Sequence, residues 1–200
     1  MTDLPLKDIK KDIYLMMKKA EQMLELSEDA FIKGRMSALD RADELAGEIR
    51  AKEDHLTEAL AKLAAASSEA RRLLAVPSHI EKIANGLHRL NDGIRMKIKD
   101  SLLFSDKAVK ETGTLFAKSR EVLKRAGEIA VSGSASLSET VKHDAESVIG
   151  MSEAFATSHE DRLVAGECSP KSSSTYLCML YSFEDVAAQA KEAVTKLSAK

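Results

Sequence analysis

Tryptophan is absent from this 200-residue sequence, aromatic residues make up 4% of it, and there are only three prolines, nine glycines and two cysteines. Each scarcity excludes something. With few aromatic faces and a net charge of −2, the chain has neither the stacking platforms nor the positive field that nucleic-acid binding uses. Two cysteines cannot build a disulfide framework, so free thiols and a reducing compartment are expected. No window approaches the roughly 18 unbroken apolar residues of a membrane span. The opening "MTDLPLKDIKKD" has no apolar run that could serve as a signal peptide, and the expectation is a cytoplasmic protein. No G-x-S-x-G, P-loop or dinucleotide fingerprint occurs, and the five histidines are scattered at positions 55, 79, 88, 143 and 159. Nothing signals an enzyme.

What is present is helical periodicity. At 44% apolar and 31% charged residues, the chain has material for a core in one or two compact units. Leu6, Ile9, Ile13, Met16, Ala20, Met23, Leu24 and Phe31 form an i, i+3, i+4 stripe that predicts a first helix over about residues 4–33, ended by Gly34. A second stripe runs from Ala38 through Leu45, Ile49, Leu56 and Leu63 and predicts one long helix lasting until Pro77, which would cost about 3 kcal/mol in a helix interior. Pro77-Ser78 opens a third, whose Ile80, Ile83, Leu87, Leu90, Ile94 and Ile98 make the cleanest stripe in the chain. Ser105 is the expected N-cap of a fourth helix, which carries Leu115, Val122, Leu123 and Ile129 and stops in "VSGSASLS". The fifth bears Val141, Ala145, Val148, Phe155 and Leu163 and ends with Gly166 as cap. The sixth takes Tyr176, Leu180, Phe183, Ala187, Ala190, Val194 and Leu197 to the C-terminus. The fold class is all-α, an elongated six-helix bundle. A faint internal repeat of three plus three helices divides it at residues 1–104 and 105–200, packed as one compact domain.

Two stretches invite chemistry. "GECSPKSSSTYLCMLYSFEDVAAQA" holds both cysteines, but Ser169-Pro170 has the order of a helix start, a hydroxyl followed by a proline whose missing donor costs nothing there. Along a continuous helix Cys168 and Cys178 stand roughly 12–15 Å apart at 1.5 Å per residue, too far for a bridge. No CxxC or HxxxH accompanies them, and Cys178 is expected near the core stripe as a small apolar residue. The other stretch is "LHRLNDGIR". With Leu87, Leu90 and Ile94 facing the core, His88, Asp92, Arg95 and Lys99 share one flank, and a histidine and a carboxylate at i, i+4 can hold one metal ion between them. The equivalent flank of the last helix offers Glu184 but Ala188. A solvated face with a helix salt bridge is the plain alternative.

At these residues a family resemblance emerges. "SHEDRLVAGECSPKSSSTYLCMLYSFEDVAAQAKEAV" resembles the second repeat of the PhoU family, which includes the PhoU-like domain at the C-terminus of bacterial sodium/phosphate cotransporters. The resemblance rests on His159, Arg162-Leu163, Gly166, Cys168-Ser169-Pro170 and the spacing to "SFEDVAAQA". "GLHRLNDGIRMKIKDSLLFSDKAVKETGTLF" is similar to the matching stretch of the first repeat. The resemblance implies a six-helix bundle of two three-helix repeats, each with an E-x-x-x-D motif on its third helix that helps bind multinuclear iron or zinc clusters. It also implies a regulatory role between a phosphate transporter and a sensor histidine kinase at the inner face of the membrane.

Both motifs depart from that pattern. The first reads His88-Arg89-Leu90-Asn91-Asp92, with His in place of Glu; the second runs from Glu184 to Ala188-Gln189, with Asp and His lost. Fewer carboxylates mean fewer ligands and less of the negative charge a multinuclear site requires. The expectation is therefore a PhoU-like regulator or adaptor with degenerate metal motifs, His88, Asp92 and Glu184 being the candidates for iron or zinc. It would contact a transporter or sensor kinase without inserting into the membrane, and it could form a homodimer. Two other classes are to be weighed: a helical scaffold unrelated to phosphate, which fits the composition but should show a sustained heptad where this chain mixes steps of 3 and 4, and a metal-binding bundle or metal-dependent enzyme of the carboxylate-bridged type, which would require Glu-x-x-His pairs that neither His79 nor His88 supplies.

Overall fold

A computed structural model describes residues 5–198. It contains seven helices and, among the described residues, no strand: α1 (Leu6–Lys33), α2 (Met36–Ala64), α3 (Ser68–Leu73), α4 (Val76–Lys99), α5 (Asp106–Ser132), α6 (Ala135–Val164) and α7 (Pro170–Ser198). The expected start of the first helix at residue 4 and the end of the last at residues 199 and 200 lie outside the described residues. Six helices are long. No helix is long and apolar enough to cross a membrane, among the described residues.

The difference from the sequence reading lies before Pro77. The second helix stops at Ala64 rather than running to the proline, and a six-residue helix intervenes. Ser67 is the reason: its side chain accepts a hydrogen bond from the Ala70 N–H at 3.2 Å, capping a new helix start within the Ala-Ala-Ala-Ser-Ser run. Serine competes for backbone groups in this way and so favours caps over helix interiors. The redirected turn buries Ala70 and Leu73. Pro77 then occupies the second position of α4, where the N–H it lacks would have no intrahelical partner.

Elsewhere the ends follow the expected chemistry. Ser105 accepts from the Ala108 N–H at 3.2 Å at the start of α5. At the end of α6, Gly166 adopts φ +73, the left-handed conformation that L side chains resist. The Gly166 N–H donates to the Leu163 carbonyl at 3.1 Å, and that of Glu167 to the Arg162 carbonyl at 2.9 Å, closing the helix in a Schellman-type turn.

The short connections make sequential long helices antiparallel, and α1, α2 and α4 form one group while α5, α6 and α7 form the other. The groups meet where α4 packs against α7, the most extensive contact in the molecule, with α1 against α5 beside it. The core stripes converge there: Ile80, Ile83, Leu87, Leu90 and Ile94 of α4 are fully buried, as are Met179, Leu180 and Phe183 of α7. Burying each such side chain is worth about 1.5–3 kcal/mol. The close approach also needs the absence of a side chain: a Cβ on Gly86 would lie 2.9 Å from Cγ2 of Val186, and one on Gly93 2.9 Å from Cγ of Met179. A mid-helix glycine costs about 1 kcal/mol against alanine, and here the cost is offset by two backbones packed face to face.

Candidate functional site

The flank singled out in the sequence becomes a cluster between two helices. Because α4 turns its Leu87–Ile94 stripe inward, His88, Asp92 and Arg95 project along its edge towards α2, which contributes Asp40 and Asp43. The His88 Nδ1 lies 2.9 Å from Asp43 Oδ1, and its Nε2 lies 3.9 Å from Asp92 Oδ2. Arg95 is the centre of the group. Its guanidinium donates to Asp43, to Asp40 at 3.4 Å and to Asp92 at 3.4 Å. The Arg95 side chain is 17% exposed, against 59% for Asp92 and 71% for Asp40. The cation is thus the most enclosed member. Burial works against its charge, but the carboxylates, Asp43 first, more than compensate and hold its pKa above the ordinary arginine value.

Glu184 stands elsewhere. It is half-buried on α7, and burial, the carboxylate of Glu153 on α6 and that of Asp185 raise its pKa above the usual glutamate value. Of the three residues expected as metal ligands, the structure brings His88 and Asp92 together and leaves Glu184 on a separate flank. Among the described residues no three His, Cys, Asp or Glu side chains are placed to hold a metal ion. The multinuclear iron or zinc cluster implied by the resemblance does not fit the residues present, since a guanidinium already sits between the carboxylates that would receive it.

Both cysteines are free thiols. Cys178 is exposed rather than near the core, because the buried stripe of α7 passes through Thr175, Tyr176, Met179 and Leu180 and leaves position 178 on the outer side of the turn.

A second polar group had no reading as a site in the sequence. At the α5–α6–α7 junction the carboxylate of Glu111, 6% exposed, receives both terminal nitrogens of Arg162, at 3.1 and 2.8 Å, and the Tyr176 hydroxyl at 2.5 Å. Arg162 also donates to Ser158 at 2.9 Å. His159 is buried beside them, its ring 4.9 Å from that of Tyr176 and its Nε2 2.8 Å from the Ser173 hydroxyl, while Nδ1 has no partner. Burial, then the neighbouring Arg162, lowers the His159 pKa. Burial and Glu111 raise that of Tyr176, so its proton stays in place. The phenol, the guanidinium and the carboxylate form a closed ion pair with a capping donor, an arrangement that ties three helices together. A small cavity of about 200 Å³ lined by Phe104, Ser105, His159, Cys168 and Tyr176 adjoins it.

A groove of about 950 Å³ along α1 and α2 is an open trough. Its charges are taken up by one another, Lys19 by Glu48 at 2.8 Å and Lys52 by Asp12 at 2.7 Å.

No protein-family model matches the sequence, and no curated protein matches it significantly. Solved structures do match. The chain superposes on PhoU from Pseudomonas aeruginosa with a TM-score of 0.85 at 14% identity, covering 96% of this chain and 94% of that one. It superposes on the phosphate transport system regulatory protein PhoU from Streptococcus pneumoniae with a TM-score of 0.84 at 12% identity, covering 96% and 92%. A PhoU-like protein from Shewanella oneidensis MR-1 aligns more loosely, with a TM-score of 0.57 at 13% identity over 97% and 92%. The fold is PhoU-like.

Proposed function

We propose that this chain is a PhoU-like regulatory or adaptor protein of phosphate transport or phosphate signalling, acting by binding rather than by catalysis. The observation that carries the reading is that the PhoU structures match over nearly their entire length as well as over nearly all of this chain, so the likeness is one of whole molecules. The sequence divides at the α4–α5 connection into two related three-helix units, and the α4–α7 seam joins them into one body. Such a body suits an adaptor: a stiff bundle presenting fixed outer faces to a partner while its polar groups are spent on holding helices together. The partner class is a phosphate transporter or a phosphate-responsive sensor kinase, met at the cytoplasmic face of the membrane through another subunit.

Direct binding tests this. The purified full chain should associate reversibly with the cytoplasmic portions of the phosphate transporter or sensor kinase from its own cell, in surface plasmon resonance with an unrelated helical bundle as control. Binding no better than the control to either partner would overturn the adaptor reading.

A further inference from the structure

The cavity beside His159 is where two helices begin. α5 borders it with Ser105 and Ala108 and α7 with Ser169 and Ser172, so the first turns of a 27-residue and a 29-residue helix meet at one space of about 200 Å³. First-turn N–H groups have no intrahelical acceptor, and the helix dipole places partial positive charge there, which favours an anion. His159 adds a side-chain group to these backbone ones. It lines the cavity at 3% exposure, its Nε2 lies 2.8 Å from the Ser173 hydroxyl, and its buried Nδ1 has no hydrogen-bond partner. Buried polar atoms are ordinarily paired, so an orphan on a ring that borders an open space marks a missing partner. Burial, then Arg162, lowers the ring's pKa and keeps it neutral. With the Ser173 hydroxyl donating to Nε2, that neutral ring carries its proton on Nδ1 and offers it as a donor. Phe104, Ala108 and Tyr176 supply apolar walls, against which such dipoles act more strongly than in water. Of the nearby carboxylates, Glu167 on the lining is exposed to solvent and Glu111 is already paired with Arg162.

We infer that this cavity is a binding site for a small oxyanion, held between the first turns of α5 and α7 with Nδ1 of His159 as its side-chain donor. At about 30 Å³ per water molecule, the space takes an ion the size of phosphate, sulfate or acetate with part of its hydration. The ligand would touch both the α4–α5 connection, through Phe104, and the α6–α7 connection, through Cys168. Its binding therefore ties two loops at one end of the bundle and makes the shape of that end depend on anion supply. The inference rests on the cavity and not on the phosphate-regulator reading; which anion fills the site is a separate result.

The test is titration of the purified full chain with inorganic phosphate, sulfate and acetate in separate arms, against chloride at matched ionic strength. Isothermal calorimetry reads the affinity, and nitrogen NMR of the histidine rings reads the site. At least one of the three anions should bind saturably at one ion per chain and shift the His159 ring signals, with those of His55 and His143 unmoved. His159→Leu should weaken that binding at least tenfold, and His159→Gln, which keeps a donor, should lose less. Glu167→Gln changes only an exposed side chain and should tighten binding, because it removes a negative charge from the lining. A site that takes sulfate or acetate but refuses phosphate would uphold the inference and count against a phosphate role for this cavity. The inference is overturned if none of the three anions shifts the His159 ring saturably in the unaltered chain, or if Glu167→Gln leaves the affinity unchanged.

Discussion

Replacing Arg162 with methionine isolates the energetics of the α5–α6–α7 junction. The substitution preserves much of the buried stem but strips Glu111 of two charge-assisted hydrogen bonds, leaving a carboxylate in a 6% exposed site with the Tyr176 hydroxyl as its remaining charge-stabilising contact. Breaking a buried pair from one side costs about 3–5 kcal/mol, because the surviving charge stays desolvated. At about 2–4 °C per kcal/mol for a chain of this size, the melting temperature should fall by roughly 6–20 °C. Tyr176→Phe removes a single bond to an ionised acceptor and should cost less, about 1.5–3 kcal/mol. The triple variant Glu111→Leu/Arg162→Met/Tyr176→Phe takes away every member at once and leaves no orphaned charge, so it should be more stable than Arg162→Met alone. Urea and thermal unfolding followed by circular dichroism at 222 nm read all three. A cost below about 1 kcal/mol for Arg162→Met, or a triple variant whose loss equals the sum of the single losses, would refute the claim that this is a coupled buried network.

Three further outcomes follow from the packing and the charges. Gly86→Ala should destabilise by about 1–3 kcal/mol through overpacking, because the new Cβ meets the stiff side chain of Val186, and Gly93→Ala should also destabilise but by less, because the Cγ it meets belongs to the unbranched Met179; paired urea melts compare them, and a gain in stability for either would contradict the seam geometry. Glu184→Gln should raise stability at neutral pH: a carboxyl whose folded pKa is raised favours its protonated form, so the fold loses stability as pH climbs from 4.5 through the folded value, and the variant's advantage should vanish below pH 4.5. His159 works in the opposite sense. Its folded pKa is lowered from 6.5, so the unfolded chain takes up the proton more readily and stability should fall as pH drops below 6.5; His159→Gln should flatten that acid limb, as thermal melts at stepped pH will show.

Much of this architecture is visible to periodicity, and the reasons for the rest are local. The α4 stripe, the Ser105 cap, the Pro170 start and Gly166 after α6 are short-range features, each set by backbone chemistry within a turn, and each occurs where its residues direct. The break after Ala64 hinges on a single serine hydroxyl choosing a cap, a competition that an apolar stripe does not register. Grouping His88, Asp92 and Arg95 on one flank needed only helical geometry. That Asp40 and Asp43 would face them depends on how α2 lies against α4, which no spacing within α4 encodes. The Glu111–Arg162 pair did leave a trace. Ser152, His159 and Arg162 continue the inward positions of Val141, Ala145 and Val148, and Glu111 lies in phase with Ala108 and Leu115. Charged residues of opposite sign that fall on the buried face of two helices are a signal for an interior ion pair, and reading the stripes for apolar residues alone passes over it.

The proposal that this chain regulates phosphate transport or phosphate signalling is tested most directly by initial uptake of radiolabelled phosphate by cells of its own source with and without this chain, at high and low external phosphate. Loss of the chain should change how uptake responds to external phosphate, with return of the unaltered chain restoring the original response. Uptake that responds to phosphate identically in both strains would contradict the account.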